Sequence, residues 1–350
     1  MRRKTGRDTL MVEHEEPTRD GARHFFHLPL AGRVVGLDLL RGGAIAAMTM
    51  YHQSLVVRPV GGWESFAQFL GFISAPLFLC ISGMGASFHE RRHHRPFKMV
   101  VHGGLLFAFA YLLDLLVNRN ARVEWDIFQI IGACYGGLGL LGCLGYGVRQ
   151  LAGMAGIFLA LLLFPAFRPD QGFFPPWPFG LYFAAGYLLS RLGQSPWLSR
   201  WMSLLLTAAS LSYFLYWLSL AARPDDRAQP AGFFFLVALV YVLLTAALDA
   251  EKRDLFRTGG LKVLVRWGQY PLTLYLFQQV VTIARVRLPL PAQLPPAAAW
   301  VVQSAALLSL MYAATFLLER FPFLDAGWWL RQAEARVLSH APAKAAPGQN

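Results

Sequence analysis

An all-α, polytopic integral membrane protein, with about ten transmembrane helices and both termini on the cytoplasmic side, is the fold class this sequence predicts. Three observations predict it. Hydrophobic residues make up 55% of the 350 and charged residues only 15%, too little polar surface to cover a water-soluble globule of that size. The apolar residues are gathered into long segments separated by short polar breaks, and a bilayer core about 30 Å thick needs roughly 20 such residues per helix. Lys and Arg divide unevenly between the two alternate sets of loops, 23 on the side of the N-terminus against 8 on the other, and the richer side is the cytoplasmic one. A β-barrel is disfavoured, because its strands alternate apolar and polar residues, whereas stretches such as Phe233 to Leu244 are almost continuously apolar.

The N-terminal tail, residues 1–33, is basic through Arg2, Arg3, Lys4 and Arg7 and has no apolar run followed by a cleavage site, so it does not read as a signal peptide. The membrane domain covers residues 34–318. Its spans are 34–57, 65–88, 99–117, 127–147, 151–167, 178–193, 201–220, 231–249, 267–284 and 297–318, and glycines interrupt several of them, as close helix packing in membranes allows. Residues 319–350 are too polar to span. Phe321, Phe323, Leu324, Trp328 and Trp329 beside Arg331 and Arg336 suit a cytoplasmic segment lying in the headgroup region, and the last dozen residues have the composition of a disordered tail. Cys80, Cys134 and Cys143 all fall in apolar segments and read as small buried hydrophobes. The net charge of +12 punctuates the gaps between spans instead of converging on a soluble face, so no nucleic-acid partner is expected. The partner that the composition requires is the lipid bilayer.

Ionisable side chains within a span cost roughly 2.5 to 3.5 kcal/mol each at the helix centre on insertion scales, so each is a candidate for function. The first span holds Asp38, Arg41 and His52. Asp38 and Arg41 are i, i+3 neighbours and can pair. Arg41 and His52 share one helix face about 16 Å apart along the axis. A structural ion pair plus a hydrogen-bonded histidine fits these residues as well as a catalytic wall does. A histidine that works as a base needs a partner to fix its tautomer; Asp114, Glu124, Asp126 and Gln129 lie on the same side as His52, although carboxylates there also serve simply as interface residues. Span nine is unusually polar, with Gln269, Tyr270, Thr273, Tyr275, Gln278 and Gln279, and suits a cavity wall or a helix interface.

The loop His89-Glu90-Arg91-Arg92-His93-His94-Arg95-Pro96 is rich in cations, with Lys98 following. It serves either as a topological stop signal or, through Arg92 and Arg95, as a grip for phosphates, since each guanidinium offers a planar fork to phosphate oxygens. The formal zinc motif His89-Glu90-x-x-His93 is weak, because both intervening residues are arginine and no third ligand follows on the same side. No metal is expected.

Several motifs together resemble the transmembrane acyltransferase superfamily, most nearly its heparan-α-glucosaminide N-acetyltransferase-like bacterial branch, with the acyltransferase-3 branch as the near alternative. They are Arg33-Val-Val-Gly-Leu-Asp38-Leu-Leu-Arg41-Gly42, His52 after ten intervening residues, Ala75-Pro76-Leu77-Phe78-Leu79-Cys80-Ile81-Ser82-Gly83, and Arg92-x-x-Arg95. Pro175-Pro176-Trp177-Pro178-Phe179 and Trp267-Gly268 with Tyr275 extend the likeness over nearly the whole membrane domain. The resemblance implies an acyl-CoA donor, acetyl-CoA by preference, entering from the cytoplasm, and a carbohydrate or lipid-linked sugar acceptor beyond the cytoplasm. It implies His52 as the catalytic histidine, Arg41 as its partner in the span, and Arg92 with Arg95 at the coenzyme's phosphates. Where relatives often carry a histidine after the tyrosine of span nine, this chain has Gln278. The site expected is therefore His52, Arg41, Asp38 and Asp114 for chemistry and Arg92 and Arg95 for the donor, in a multi-pass protein of the cell inner membrane, with a homo-oligomer left open. The alternatives are a secondary transporter or flippase-like protein and, more remotely, an intramembrane zinc protease.

Overall fold

The structure is a computed structural model and describes residues 34–93, 95–118, 126–145, 176–192, 208, 230–257, 259–283 and 294–339. Among them all regular structure is helical. In chain order the helices are α1 (Val35–Val57), α2 (Gly62–His93), α3 (Pro96–Asn118), α4 (Ile127–Cys143), α5 (Pro176–Leu192), α6 (Pro230–Lys252), α7 (Gly259–Trp267), α8 (Pro271–Ile283), α9 (Pro296–Arg320) and α10 (Ala326–Ser339), with short 3-10 turns at Leu255–Arg257 and Pro322–Leu324. Four of them, α2, α3, α6 and α9, are long and apolar enough to cross a membrane, and α4 is apolar but shorter. Seven of the ten spans read from the sequence coincide with described helices and an eighth, 267–284, does so only from Pro271; 151–167 and all of 201–220 except residue 208 lie outside the described residues, as do the tail 1–33 and the last residues of the chain.

Helix α1 is the axis of the bundle. It packs against α2, α6, α7, α8 and α9, so neighbours rather than lipid surround its buried polar residues Asp38, Thr49 and Gln53. Encirclement is why a helix with this many polar groups can exist in a membrane protein: each polar group can find a partner on another helix. The start of α1 shows the same economy. Val34 precedes it and offers no side-chain cap, and the orphan N–H groups of Val35 and Gly36 instead donate to the two carboxylate oxygens of Glu251, at the end of α6, at 3.0 and 2.8 Å.

Where helices cross, glycine sets the distance. A Cβ on Gly42 would stand 1.8 Å from the carbonyl oxygen of Leu264, and one on Gly268 would stand 1.8 Å from that of Asp38, so α7 and the turn after it lie backbone to backbone on α1. The α2–α5 crossing is built likewise, with Gly83 against Phe183 and Gly186 against Cys80. Gly103 and Gly132 bring α3 onto α4. Without a hydrophobic driving force between helices in lipid, such van der Waals contact is a principal source of association.

Two readings of the sequence need correction. Span nine is not one helix from 267: α7 ends at Trp267 and α8 begins at Pro271, whose ring supplies no backbone donor and suits a first helical position, so the chain turns at Gly268-Gln269-Tyr270. The three cysteines are free, but only Cys80 is buried; Cys134 is partly covered and Cys143 is exposed at the end of α4. The segment after α9 folds as an amphipathic helix preceded by exposed Phe321, Phe323 and Leu324, with Trp328 and Trp329 edge to face at 4.9 Å.

Candidate functional site

At one end of α1 a polar cluster forms between α1, α8 and α9. The carboxamide of Gln278 bridges Nδ1 of His52 and, at 3.2 Å, Oγ1 of Thr49. Thr49 Oγ1 also lies 2.8 Å from the carbonyl of Ile45 and 3.5 Å from Sδ of Met311. Gln278 and Thr49 are wholly buried, whereas His52 is partly exposed. Aromatic rings collar this end. Tyr51 is 5.6 Å from the His52 ring, and Trp300, which donates from Nε1 to the carbonyl of Met50 at 2.9 Å, packs against Trp63 and Phe66.

The same face of α8 builds a second cluster one turn earlier. Tyr275 donates its hydroxyl proton to Asp126 and accepts from Gln279 at 2.7 Å. Asp126 caps α4 in a reciprocal box with Gln129, and the Asp114 carboxylate is close enough to act electrostatically on both Asp126 and Tyr275. The sequence pointed to a carboxylate as the partner of His52; the group on its Nδ1 is the Gln278 carboxamide.

At the other end of α1, Arg41 Nη1 donates to Asp38 at 3.2 Å. Its other terminal nitrogen lies against Gly85, where an added Cβ would approach to 3.1 Å, and the hydroxyl of Tyr135 borders the same spot. From Tyr135 a line of aromatic and cationic groups continues. His102 is 5.3 Å from the Tyr135 ring and 6.2 Å from the His89 ring. Glu334 of α10 closes the line, accepting from His102 Nδ1 at 2.9 Å with Lys98 Nζ 3.5 Å away. Arg95 is exposed between α2 and α3, and Arg92 falls in the last turn of α2. Glu90 faces elsewhere: it accepts from Tyr187 and from Arg191, the latter at 2.6 Å. Among the described residues no three His, Cys, Asp or Glu side chains gather as a metal site would need.

Burial by itself pushes the Glu334 carboxyl up, but the His102 hydrogen bond and the positive charges of His102, Lys98 and His89 outweigh it and hold the group below its usual range. A carboxylate with a depressed folded pKa contributes stability above its unfolded value, about 4.3, and loses it as pH falls through the lower folded one. Docking of α10 on α3 should therefore hold at neutral pH and weaken below about pH 4. Limited pepsin digestion should begin to cut within 326–339 in that range, and Glu334→Gln should render the same segment open to trypsin at pH 7. Equal resistance of the variant would remove Glu334 from the clamp.

A family profile described as Heparan-alpha-glucosaminide N-acetyltransferase, catalytic, matches residues 33–224, more than half of the chain. The chain belongs to this family. No curated protein matches it. The matched region of the N-acetyltransferase family runs from α1 through α5, and so contains Asp38, Arg41, His52, Arg92, Arg95, Asp114 and Asp126. It stops before α8, which supplies Tyr275, Gln278 and Gln279, the residues that the fold brings onto His52 and Asp126. Membership and the apolar helices together make this a membrane protein of an acetyltransferase family.

Sequence reasoning passed over His102, Tyr135 and Glu334. The insertion cost that singles out Asp38 and His52 applies equally to His102, within span 99–117, and would have found it. Glu334 gives no such signal, because it sits on a polar helix and is joined to His102 across 232 residues of chain.

Proposed function

We propose that this chain transfers an acetyl group from cytosolic acetyl-CoA to a hydroxyl or amine of a carbohydrate, extracytoplasmic or carried on a membrane lipid. The family match over the helix that holds both Arg41 and His52 carries this reading. An acyl-CoA cannot cross a bilayer, but its thioester on a slender arm can be threaded into a protein from a phosphate-binding mouth. Arg95 and Lys98, with the His89 and His102 rings close by, put positive charge at one end of α1, the end we take as cytoplasmic from the excess of Lys and Arg in its loops. Arg92 and Arg95 hold the coenzyme's phosphates, and Arg41, kept in place by Asp38, lines the way inward.

At the far end His52 acts as general base. It takes the proton of the acceptor O–H or N–H as that atom bonds to the thioester carbonyl carbon. The tetrahedral intermediate then collapses, the C–S bond breaks, and the coenzyme leaves as a thiolate that recovers a proton from the imidazolium. Asp114 and Asp126, near Tyr275, give the same end carboxylates able to hold acceptor hydroxyls.

The donor arm is tested by binding. Arg92→Ala with Arg95→Ala should weaken acetyl-CoA affinity by roughly 10- to 100-fold for each charge-assisted bond lost, read by isothermal calorimetry on detergent-purified protein. Unchanged affinity would reduce the loop to a topology signal. The broken α7–α8 unit favours a second reading, since discontinuous helices line the sites of transporters. Sugar flux into liposomes with no acyl donor present would replace acyl transfer with transport.

A further inference from the structure

Three buried or half-buried groups at the end of α1 share few protons, and counting them fixes the chemistry of His52. Thr49 has one hydroxyl proton and three neighbours that can accept it: the Ile45 carbonyl at 2.8 Å, the Gln278 carboxamide at 3.2 Å and Met311 Sδ at 3.5 Å. The oxygen and nitrogen of a carboxamide exchange places by a half-turn about its last torsion, and the hydrogen bonds decide which way round it stands. With the nitrogen towards His52, as the structure places it, the Thr49 proton must choose between Ile45 and the Gln278 oxygen, and the cluster makes two bonds. With the nitrogen towards Thr49, the hydroxyl donates to Ile45 over the shorter distance, Gln278 donates to the lone pairs of Thr49, and its oxygen accepts from His52. That arrangement makes three. Because the carboxamide is wholly buried, out of reach of bulk solvent, an additional bond decides its orientation.

We infer that Gln278 is a positioning residue that holds His52 as the Nδ1–H tautomer, leaving Nε2 with the free lone pair. A carboxamide does here what a carboxylate does for other catalytic histidines, orienting the ring and choosing the tautomer, but it adds no charge. The consequence is a ring whose only proton-accepting atom is Nε2, directed away from the α8 contact. The reading rests on His52 serving as the base of the proposed acyl transfer, and the tautomer that decides it is read without turnover.

Nitrogen NMR on protein labelled with 15N-histidine reads the tautomer directly, with the His52 signals among the nine histidines identified by their loss in His52→Ala. The expected result is a protonated Nδ1 and an unprotonated Nε2 in the native protein at pH 8. Gln278→Leu should mix or reverse the tautomers and lower acetyl transfer at least tenfold, chiefly in kcat. Gln278→Glu, which can accept the same Nδ1–H bond, should keep the tautomer and recover most of the rate. A native Nδ1 without a proton, or a Leu variant with unchanged tautomer, overturns the inference. An inactive native protein with a protonated Nδ1 leaves it standing and removes the acyl-transfer reading instead.

Discussion

His52→Ala should lower acetyl transfer by about 10²- to 10⁴-fold, the range over which a positioned general base contributes, while leaving acetyl-CoA affinity and purified yield within about twofold of the native protein. The separation follows from the geometry. His52 lies eleven residues beyond Arg41 on α1, about 16 Å along the axis, and its Nδ1 partner is on α8, whereas Lys98, His102 and Glu334 cluster on α3 and α10. Truncating the imidazole therefore leaves the basic mouth intact. Thr49 keeps its bond to Ile45, and Trp300 keeps its bond to Met50, so the local helix contacts also survive. Transfer of radiolabel from acetyl-CoA to sugar acceptors, measured beside calorimetric donor binding, separates the two effects. A variant that retains native turnover would take His52 out of the reaction, and one that loses donor binding as well would make it a structural residue.

The largest effect on folding should come from Gly186→Leu. A Cβ there would stand 1.8 Å from the carbonyl oxygen of Cys80 and 2.6 Å from its carbon, both backbone atoms that no rotamer change can move. Helices α2 and α5 would have to separate, and with them the Ser190–Ser87 hydrogen bond at 3.0 Å and the Glu90–Arg191 pair at 2.6 Å. Overpacking of a side chain that can relax costs about 1–3 kcal/mol, and a backbone-to-backbone obstruction should exceed that range. The expected outcome is loss of monodisperse protein in detergent or a sharply lowered melting temperature. Gly104→Ala is the control: among the described residues nothing lies within 4 Å of its added Cβ, so the helix-propensity gain of roughly 1 kcal/mol should appear without a clash. If Gly186→Leu melts with the native protein, the close α2–α5 crossing is not how the bundle is held.

The pairing of Asp38 with Arg41 was legible because it is local: three residues on a helix place the side chains on one face whatever surrounds them. That the segment after α9 is too polar to span was legible from composition, whereas its folding as the helix Ala326–Ser339 was not. The break between α7 and α8 was only half legible. Gly268 and Pro271 announce it, but whether glycine and proline end a membrane helix or merely bend it depends on a neighbour, and here Gly268 is pressed against the backbone of Asp38. Cys143 misled for a related reason: an apolar residue in a span is equally at home facing lipid or facing protein.

By itself the sequence determined that this is a helical membrane protein, where most of its helices run, and that its first helix carries an aspartate, an arginine and a histidine at helical spacing. Those are consequences of hydropathy and of a 3.6-residue repeat, which act over short stretches of chain. Tertiary structure alone decided that Gln278 meets His52 across 226 residues, that Glu251 caps α1, and that Glu334 reaches His102. In lipid every face of a helix is apolar by default, so the pattern that reveals the buried side of a soluble helix is erased, and which polar groups come together is settled only when the helices pack.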